Sequence, residues 1–188
     1  MQLRHVQRRR IGGASLGLLD IHAVIVKTPP LHLTWADEAA TAAFAQLLAA
    51  QPALRFAFVS LSGQLGAGKT TFVRHLLRAL GVQGRVKSPT YAVVEPYSLA
   101  GLDIWHFDFY RFDDPREWED AGFRDLFASP GLKLAEWPDK AAAALPEADL
   151  DILLEVDSHQ MRHVRLQAGT AKGEALVQAL RAAQGPLA

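Results

Sequence analysis

This sequence lacks cysteine and long apolar runs, and its first half has few acidic residues. Each of these features excludes a class of protein or site. Its 188 residues include no cysteine, which excludes disulfides and thiolate metal sites and permits a reducing compartment, so we expect a cytoplasmic location. No run approaches the roughly 18 apolar residues that a membrane span requires, and we expect no membrane association. Acidic residues are scarce in the first half, where residues 1–100 carry 11 lysines and arginines but 4 aspartates and glutamates. That half is therefore basic.

The second half has the opposite charge. Residues 101–188 carry 9 basic and 16 acidic side chains, although the whole chain has a formal net charge of zero. A basic half suits a phosphate ligand, and an acidic half can supply metal ligands or meet a basic partner. Ordinary solvated surfaces explain the same asymmetry equally well. Arg74 and Arg78, four residues apart on one predicted helix, are interpreted as such a solvated face rather than as an RNA or partner contact.

Length and composition predict one globular domain. Hydrophobic residues make up 49% of the chain, and Pro29-Pro30 separates a different N-terminal stretch from the rest. That stretch, residues 1–30, is rich in arginine, and we expect it to be a poorly ordered extension. Residues 31–188 are predicted to form the domain.

One glycine-rich segment matches the phosphate-binding pattern G-x-x-x-x-G-K-[ST] at every fixed position. An apolar run at residues 55–61 predicts a buried strand before it, and residues 70–80 predict a helix after it. In that context the loop amides and the helix N-terminus would hold a nucleoside triphosphate. Lys69 would bridge its β- and γ-phosphates, and the Thr70 hydroxyl would ligate Mg²⁺. The predicted nucleotide contacts are Gly63, Gln64, Leu65, Gly66, Ala67, Gly68, Lys69, Thr70 and Thr71.

Two carboxylates are predicted to complete a Mg²⁺ site. Asp108 lies late in a predicted strand among aromatic residues, where an unpaired carboxylate would be costly; the alternative is an ion pair with Arg111 or Lys69. Glu136 ends a short predicted strand at residues 132–136. It is predicted to ligate the metal, directly or through water, or to orient the attacking water. The alternative is a carboxylate facing the helix that starts at Pro138.

Two further positions, Thr90 and His106, give weaker signals of function. Thr90 lies in Ser88-Pro-Thr-Tyr91, a loop placed to sense a γ-phosphate, although spacing alone favours an ordinary turn. His106 lacks metal-ligand spacing to another histidine and is predicted to be a partly buried strand residue.

The remaining pattern sets the fold class. Residues 91–97 with 104–109, and 151–157 with 163–168, predict two antiparallel hairpins. The expected fold is α/β, a three-layer P-loop NTPase fold with a mixed, partly antiparallel central sheet.

Four motifs taken together resemble the bacterial TsaE family. They are Gly63-x-x-x-x-Gly-Lys-Thr, Ser88-Pro-Thr-Tyr91, His106-x-Asp-x-Tyr-Arg111 and Glu136-Trp-Pro138, and the resemblance covers residues 31–168. It implies Mg²⁺-dependent ATP hydrolysis that supports N6-threonylcarbamoylation of adenosine 37 in tRNA. TsaB and TsaD are the implied partners, with tRNA contacted indirectly or weakly. The implied catalytic residues are Lys69, Thr90, Asp108 and Glu136, and the implied metal ligands are Thr70, Asp108 and Glu136.

Two alternatives stay open at this point. A small-molecule or nucleoside kinase can use the same loop, but usually has a lid with several arginines. Between Arg85 and residue 160 the arginines are Arg111, Arg116 and Arg124, without a lid-like cluster. A nucleotide-dependent binding module, in which ATP orders the loop from Ser88 to Tyr91, would look the same in sequence.

Overall fold

The structure is a computed structural model that describes residues 28–112 and 122–184. Within those residues seven strands form one sheet: β1 (Leu31–Trp35), β2 (Phe58–Ser62), β3 (Val94–Leu99), β4 (Leu102–Asp108), β5 (Leu132–Glu136), β6 (Leu150–Val156) and β7 (Arg162–Ala168). The helices are α1 (Glu38–Ala49), α2 (Lys69–Leu80), α3 (Phe123–Ala128) and α4 (Ala171–Gln184). The predicted N-terminal extension lies outside the described residues, apart from residues 28–30. No helix in the described ranges is long and apolar enough to cross a bilayer.

The sheet is mixed, as predicted. Its strand order is β1-β7-β6-β2-β5-β4-β3. The four central strands β6, β2, β5 and β4 are parallel, whereas β1, β7 and β3 each pair antiparallel with a neighbour. The antiparallel pairs β3–β4 and β6–β7 are the two predicted hairpins. Their connections are too short for the crossover helix that a parallel pair requires.

Apolar residues cover both faces of the sheet. Val59 and Leu61 of β2 join the larger core, which contains buried apolar residues of α1, α2 and α4. Phe58, one position away, joins the smaller core on the other face with Phe123 of α3. Because successive strand residues point to opposite faces, a strand buried on both sides appears as the continuous apolar run seen in the sequence. The fold therefore has three layers.

The ends of α1 and α2 differ in a way that matters for function. Asp37 caps α1, where its Oδ1 accepts a hydrogen bond from the Ala40 amide at 2.8 Å. α2 instead begins after Gly68, whose φ is 105°, without a side-chain cap. Its first amides therefore have no capping side chain, and they are available to an anion.

Some predicted boundaries were wrong. β2 begins at Phe58 rather than residue 55, because Pro52–Phe56 forms a 3-10 turn that proline initiates. The strand predicted at residues 91–97 begins at Val94. These shifts leave the phosphate-binding loop between the predicted strand and the predicted helix.

Candidate functional site

The loop between β2 and α2 requires glycine. Gly63, Gly66 and Gly68 have φ angles of 136°, 81° and 105°, a region that side chains disfavour. At Gly63 a Cβ atom would lie 2.2 Å from the carbonyl oxygen of Leu154 on β6. The loop therefore presses its backbone against the neighbouring parallel strand, and any side chain at Gly63 would force the two apart.

A cleft of about 240 Å³ opens beside this loop. Most of the predicted nucleotide contacts line the cleft, whereas Gly63, Gln64 and Ala67 do not. Ala67 is fully buried, and its amide donates to the Gln64 carbonyl at 3.1 Å, which shapes the loop from within. The lining residues are Leu65, Gly66, Gly68, Lys69, Thr70, Thr71, Ser88, Thr90, Asp108, Tyr110 and Trp137.

Lys69 lies at the wall of the cleft. Its Nζ donates to the carbonyl oxygens of Gly63 at 2.6 Å and Gln64 at 3.0 Å, and it lies 3.8 Å from the centre of the Trp137 ring. Burial lowers the pKa of Lys69, an effect that the nearby charges of Glu136 and Asp108 oppose. Neutral groups thus hold the ammonium in place, so its charge remains available to an anionic ligand.

Asp108 anchors the loop that contains Thr90. Its Oδ2 accepts hydrogen bonds from the Ser88 hydroxyl and, at 2.7 Å, from the Thr90 hydroxyl. Its Oδ1 accepts from the Tyr110 amide at 3.0 Å. The structure therefore brings Thr90 into the cleft, where spacing alone favoured an ordinary turn.

The alternative ion pair at Asp108 is not formed among the described residues. Arg111 instead lies 4.5 Å from the centre of the Tyr91 ring and donates to its hydroxyl at 3.3 Å. Lys69 bonds to loop carbonyls.

Glu136, the last residue of β5, connects that strand to the start of α2. Its Oε2 accepts a hydrogen bond from the Thr70 hydroxyl at 2.9 Å, and its Oε1 lies 2.9 Å from Nε2 of His106. An ionised Glu136 would accept this hydrogen bond from the Nε2 N–H of His106, since an ionised carboxylate only accepts. Glu136 is 2% exposed and His106 is fully buried. The hydrogen-bond partners of Glu136 are thus Thr70 and His106 rather than the turn that starts at Pro138, which was the alternative.

His106 is the residue that sequence reasoning misjudged. It is fully buried rather than partly buried, and it contacts a predicted metal ligand. β4 and β5 are parallel neighbours that pair Asp108 with Glu136, so His106, two residues before Asp108, shares its face of the sheet. The strand pattern gives the face of His106 but not the identity of the adjacent strand.

The donor set fits Mg²⁺ bound together with phosphate. The Thr70 hydroxyl and the carboxylates of Asp108 and Glu136 are hard oxygen ligands, which Mg²⁺ prefers. In the described ranges no group of three or more His, Cys, Asp or Glu side chains could hold a metal ion. Mg²⁺ usually takes one or two carboxylates and completes its shell with water and substrate phosphates. These residues therefore suit a metal that arrives with a nucleotide rather than a resident ion.

A second cavity of about 100 Å³ lies on the other side of Gly68. Trp35, Glu38, Thr71 and Arg162 are among the side chains that line it. The Nε1 of Trp35 is buried and has no hydrogen-bond partner among the described residues, which is unusual for an indole N–H. From the sequence, Thr34 to Glu38 are candidate contacts of adenine, and Trp35 lies among them. No motif identified Arg162, because the antiparallel pairing of β1 with β7 brings it beside Trp35 from a distant part of the chain.

Comparisons with known proteins agree on one family. The family model of threonylcarbamoyl adenosine biosynthesis protein TsaE matches residues 35–164. The tRNA threonylcarbamoyladenosine biosynthesis protein TsaE of Haemophilus influenzae is 44% identical over 137 residues, which cover 72% of this chain and 85% of that protein. The Bacillus subtilis protein of the same name is 34% identical over 122 residues, or 65% and 76% of the two chains. The crystal structure of Bacillus subtilis YdiB aligns with a TM-score of 0.68 at 26% identity, over 84% of this chain and 97% of that one.

Proposed function

Since the chain belongs to the TsaE family and acts in tRNA threonylcarbamoyladenosine biosynthesis, we propose that it is the Mg²⁺-dependent ATPase of that process. One observation carries the proposal. The uncapped start of α2 and the side chains of Lys69, Thr70 and Asp108 line one cleft, and Glu136 lies directly behind it, where it accepts the hydrogen bond of Thr70. Such convergence of a cation, oxygen ligands and free amides suits a nucleoside triphosphate.

Each side chain then has a defined task. Lys69 supplies positive charge to the phosphates, and the amides at the start of α2 bind their oxygens. Thr70, Asp108 and Glu136 would hold Mg²⁺, which when bound would supply positive charge beside the phosphates. His106 keeps Glu136 oriented through the contact between Nε2 and Oε1. Water is the proposed acceptor of the phosphoryl group.

The smaller cavity is the proposed site of the nucleoside. It adjoins Gly68 and Thr71, so a nucleotide that enters from the phosphate cleft can reach it. An unsatisfied buried donor costs about 1–3 kcal/mol, and a nucleoside acceptor would remove this cost at Trp35. Arg162 adds positive charge beside Gly68.

The loop from Ser88 to Tyr91 is the proposed reporter of nucleotide state. Ser88 and Thr90 share Asp108 with the metal site, so a ligand that engages Asp108 competes with their hydrogen bonds. Tyr91 and Leu65 are 85% and 71% exposed at this end of the molecule. Exposed apolar side chains of this kind suit a protein contact, and we propose TsaB and TsaD as the partners, in the cytoplasm.

The test is ATP turnover, measured for the full chain alone, with a TsaB–TsaD complex, and with candidate small-molecule acceptors. We expect Mg²⁺-dependent phosphate release that the complex stimulates, and that falls at least about a hundredfold in Lys69→Ala and Asp108→Ala. Asp103→Ala is the matched control, because Asp103 is an exposed residue of the same strand whose side chain accepts a hydrogen bond from Ser98 and does not line the cleft.

Two results would contradict the proposal. Stoichiometric transfer of phosphate to a metabolite would make the protein a kinase. ATP binding without turnover under every condition would make it a binding module.

A further inference from the structure

A basic groove of about 610 Å³ extends from the mouth of the cleft along α2. Thr70 and Ser88 lie at its cleft end, and Glu38 and Val86 also line it. Its positively charged residues are Arg74, Arg78, Arg85 and Lys87. Two of them come from α2 and two from the segment that leads to Ser88, so folding joins cations that appear in the sequence as two unrelated pairs.

These four cations lack counter-ions in the described part of the chain. None has a carboxylate within 4 Å, since the ion pairs found there involve other residues. Glu38, the acidic residue of the groove, contacts His75 at 2.8 Å instead. Four positive charges without a counter-ion among the described residues repel each other and create a positive potential that a polyanion relieves.

The residues that line the groove indicate whether a nucleic acid or an acidic protein surface fits it better. Protein interfaces usually have aromatic and other apolar residues at their centre. This groove has Val86 as its apolar residue, which is 4% exposed, and no aromatic side chain lines it. A surface that offers charge with little apolar area suits a phosphate backbone, whose recognition is mainly electrostatic.

We propose that this groove binds the phosphate backbone of RNA and that the RNA is the tRNA to be modified. The inference rests on the tRNA role within the proposed function, but not on ATP hydrolysis. RNA in the groove would lie against Ser88, whose hydroxyl contacts Asp108. The Arg74 and Arg78 face, interpreted from the sequence as merely solvated, is then one wall of a binding site.

The test is the affinity of the full chain for a labelled, unmodified tRNA, measured by fluorescence anisotropy over a range of salt concentrations. Each lost phosphate contact should weaken binding about fivefold near physiological salt and reduce the slope of log K against log salt by about 0.7–0.9. We expect this effect from Arg85→Gln and about twice the change in slope from R78Q/R85Q. Arg165→Gln is the matched control, because Arg165 is an exposed arginine of β7 away from the groove, and it should leave both quantities unchanged.

Binding of a fluorescent ATP analogue is measured on the same variants and should be retained. Intact tRNA binding without ATP turnover would contradict the proposed ATPase alone. Equal losses from Arg85→Gln and Arg165→Gln, or no tRNA binding by the unaltered chain, would overturn the groove proposal. Loss of binding to polyglutamate or to TsaB–TsaD in R78Q/R85Q, with tRNA binding unchanged, would overturn it in favour of an acidic protein partner.

Discussion

Two buried hydrogen bonds hold the Glu136 carboxylate in position, and they show how single residues shape this site. A carboxylate that is 2% exposed would be strongly destabilising without donors. Thr70 supplies one hydrogen bond and His106 the other, each at 2.9 Å. Neither His106 nor Glu136 lines the cleft, and Glu136 contacts the cleft residue Thr70, so an effect of His106 on the reaction has to pass through Glu136.

Replacement of His106 should therefore slow turnover more than it weakens nucleotide binding. We expect His106→Leu to lower kcat by about 10- to 100-fold, the usual cost of losing a group that orients a metal ligand. The ATP dissociation constant should change little, because Lys69 and the loop amides remain. His106→Gln places an amide N–H near the position of Nε2 and should restore much of kcat.

Steady-state kinetics and equilibrium ATP binding of both variants provide the measurement. Equal kcat values for the leucine and glutamine variants, with both folded, would mean that His106 is only a packing residue. A large loss of ATP affinity in the glutamine variant would also contradict the positioning role.

At the scale of elements, local sequence signals were sufficient for the loop, its flanking helix and the two hairpins. The glycine spacing, the apolar run before it and the short connectors each report on neighbouring residues, and all three were confirmed by the fold. Beyond the two hairpins, the sequence could not predict which strands lie side by side. That arrangement places β5 next to β4, and so Glu136 next to Asp108. It also places β1 next to β7, and so Trp35 and Arg162 in one cavity.

The loop from Ser88 to Tyr91 shows the same limit. Its proline and hydroxyl residues are typical of any turn, and spacing gave no reason to bring it to Asp108. Only the tertiary fold places both hydroxyls on one carboxylate oxygen. Replacing Thr90 therefore tests whether the loop contributes to ATP turnover or only connects two elements.

We expect Thr90→Ala to reduce ATP turnover about five- to tenfold, because a hydrogen bond to a charged group contributes about 1.5–3 kcal/mol and Ser88 partly compensates. The matched control is Ser98→Ala, which removes another hydroxyl–aspartate contact at 2.9 Å, in the β3–β4 hairpin away from the cleft. Turnover of each variant, with and without TsaB–TsaD, is the measurement. Undiminished hydrolysis in Thr90→Ala would eliminate the proposed reporter role of the loop.

At the scale of the whole molecule, the site joins the two oppositely charged halves of the chain. The basic half supplies Lys69, the loop and the groove, whereas the acidic half supplies Asp108 and Glu136. The two halves meet in the centre of the sheet, where β2 lies between β5 and β6. A ligand that contacts both halves would therefore stabilise the whole domain rather than one loop.

This expectation can be tested by thermal unfolding, without any need for hydrolysis. A ligand at 100 times its dissociation constant adds about 2.7 kcal/mol to the free energy of unfolding. In a protein of this size about 1 kcal/mol raises Tm by roughly 2–4 °C, so a non-hydrolysable ATP analogue with Mg²⁺ should raise Tm by roughly 5–10 °C. AMP, which lacks the β- and γ-phosphates that Lys69 is proposed to bind, should give a much smaller shift. Lys69→Ala should lose most of the shift relative to its own unliganded Tm, while Asp103→Ala keeps it. Equal shifts for AMP and the triphosphate analogue would mean that the loop does not hold the β- and γ-phosphates.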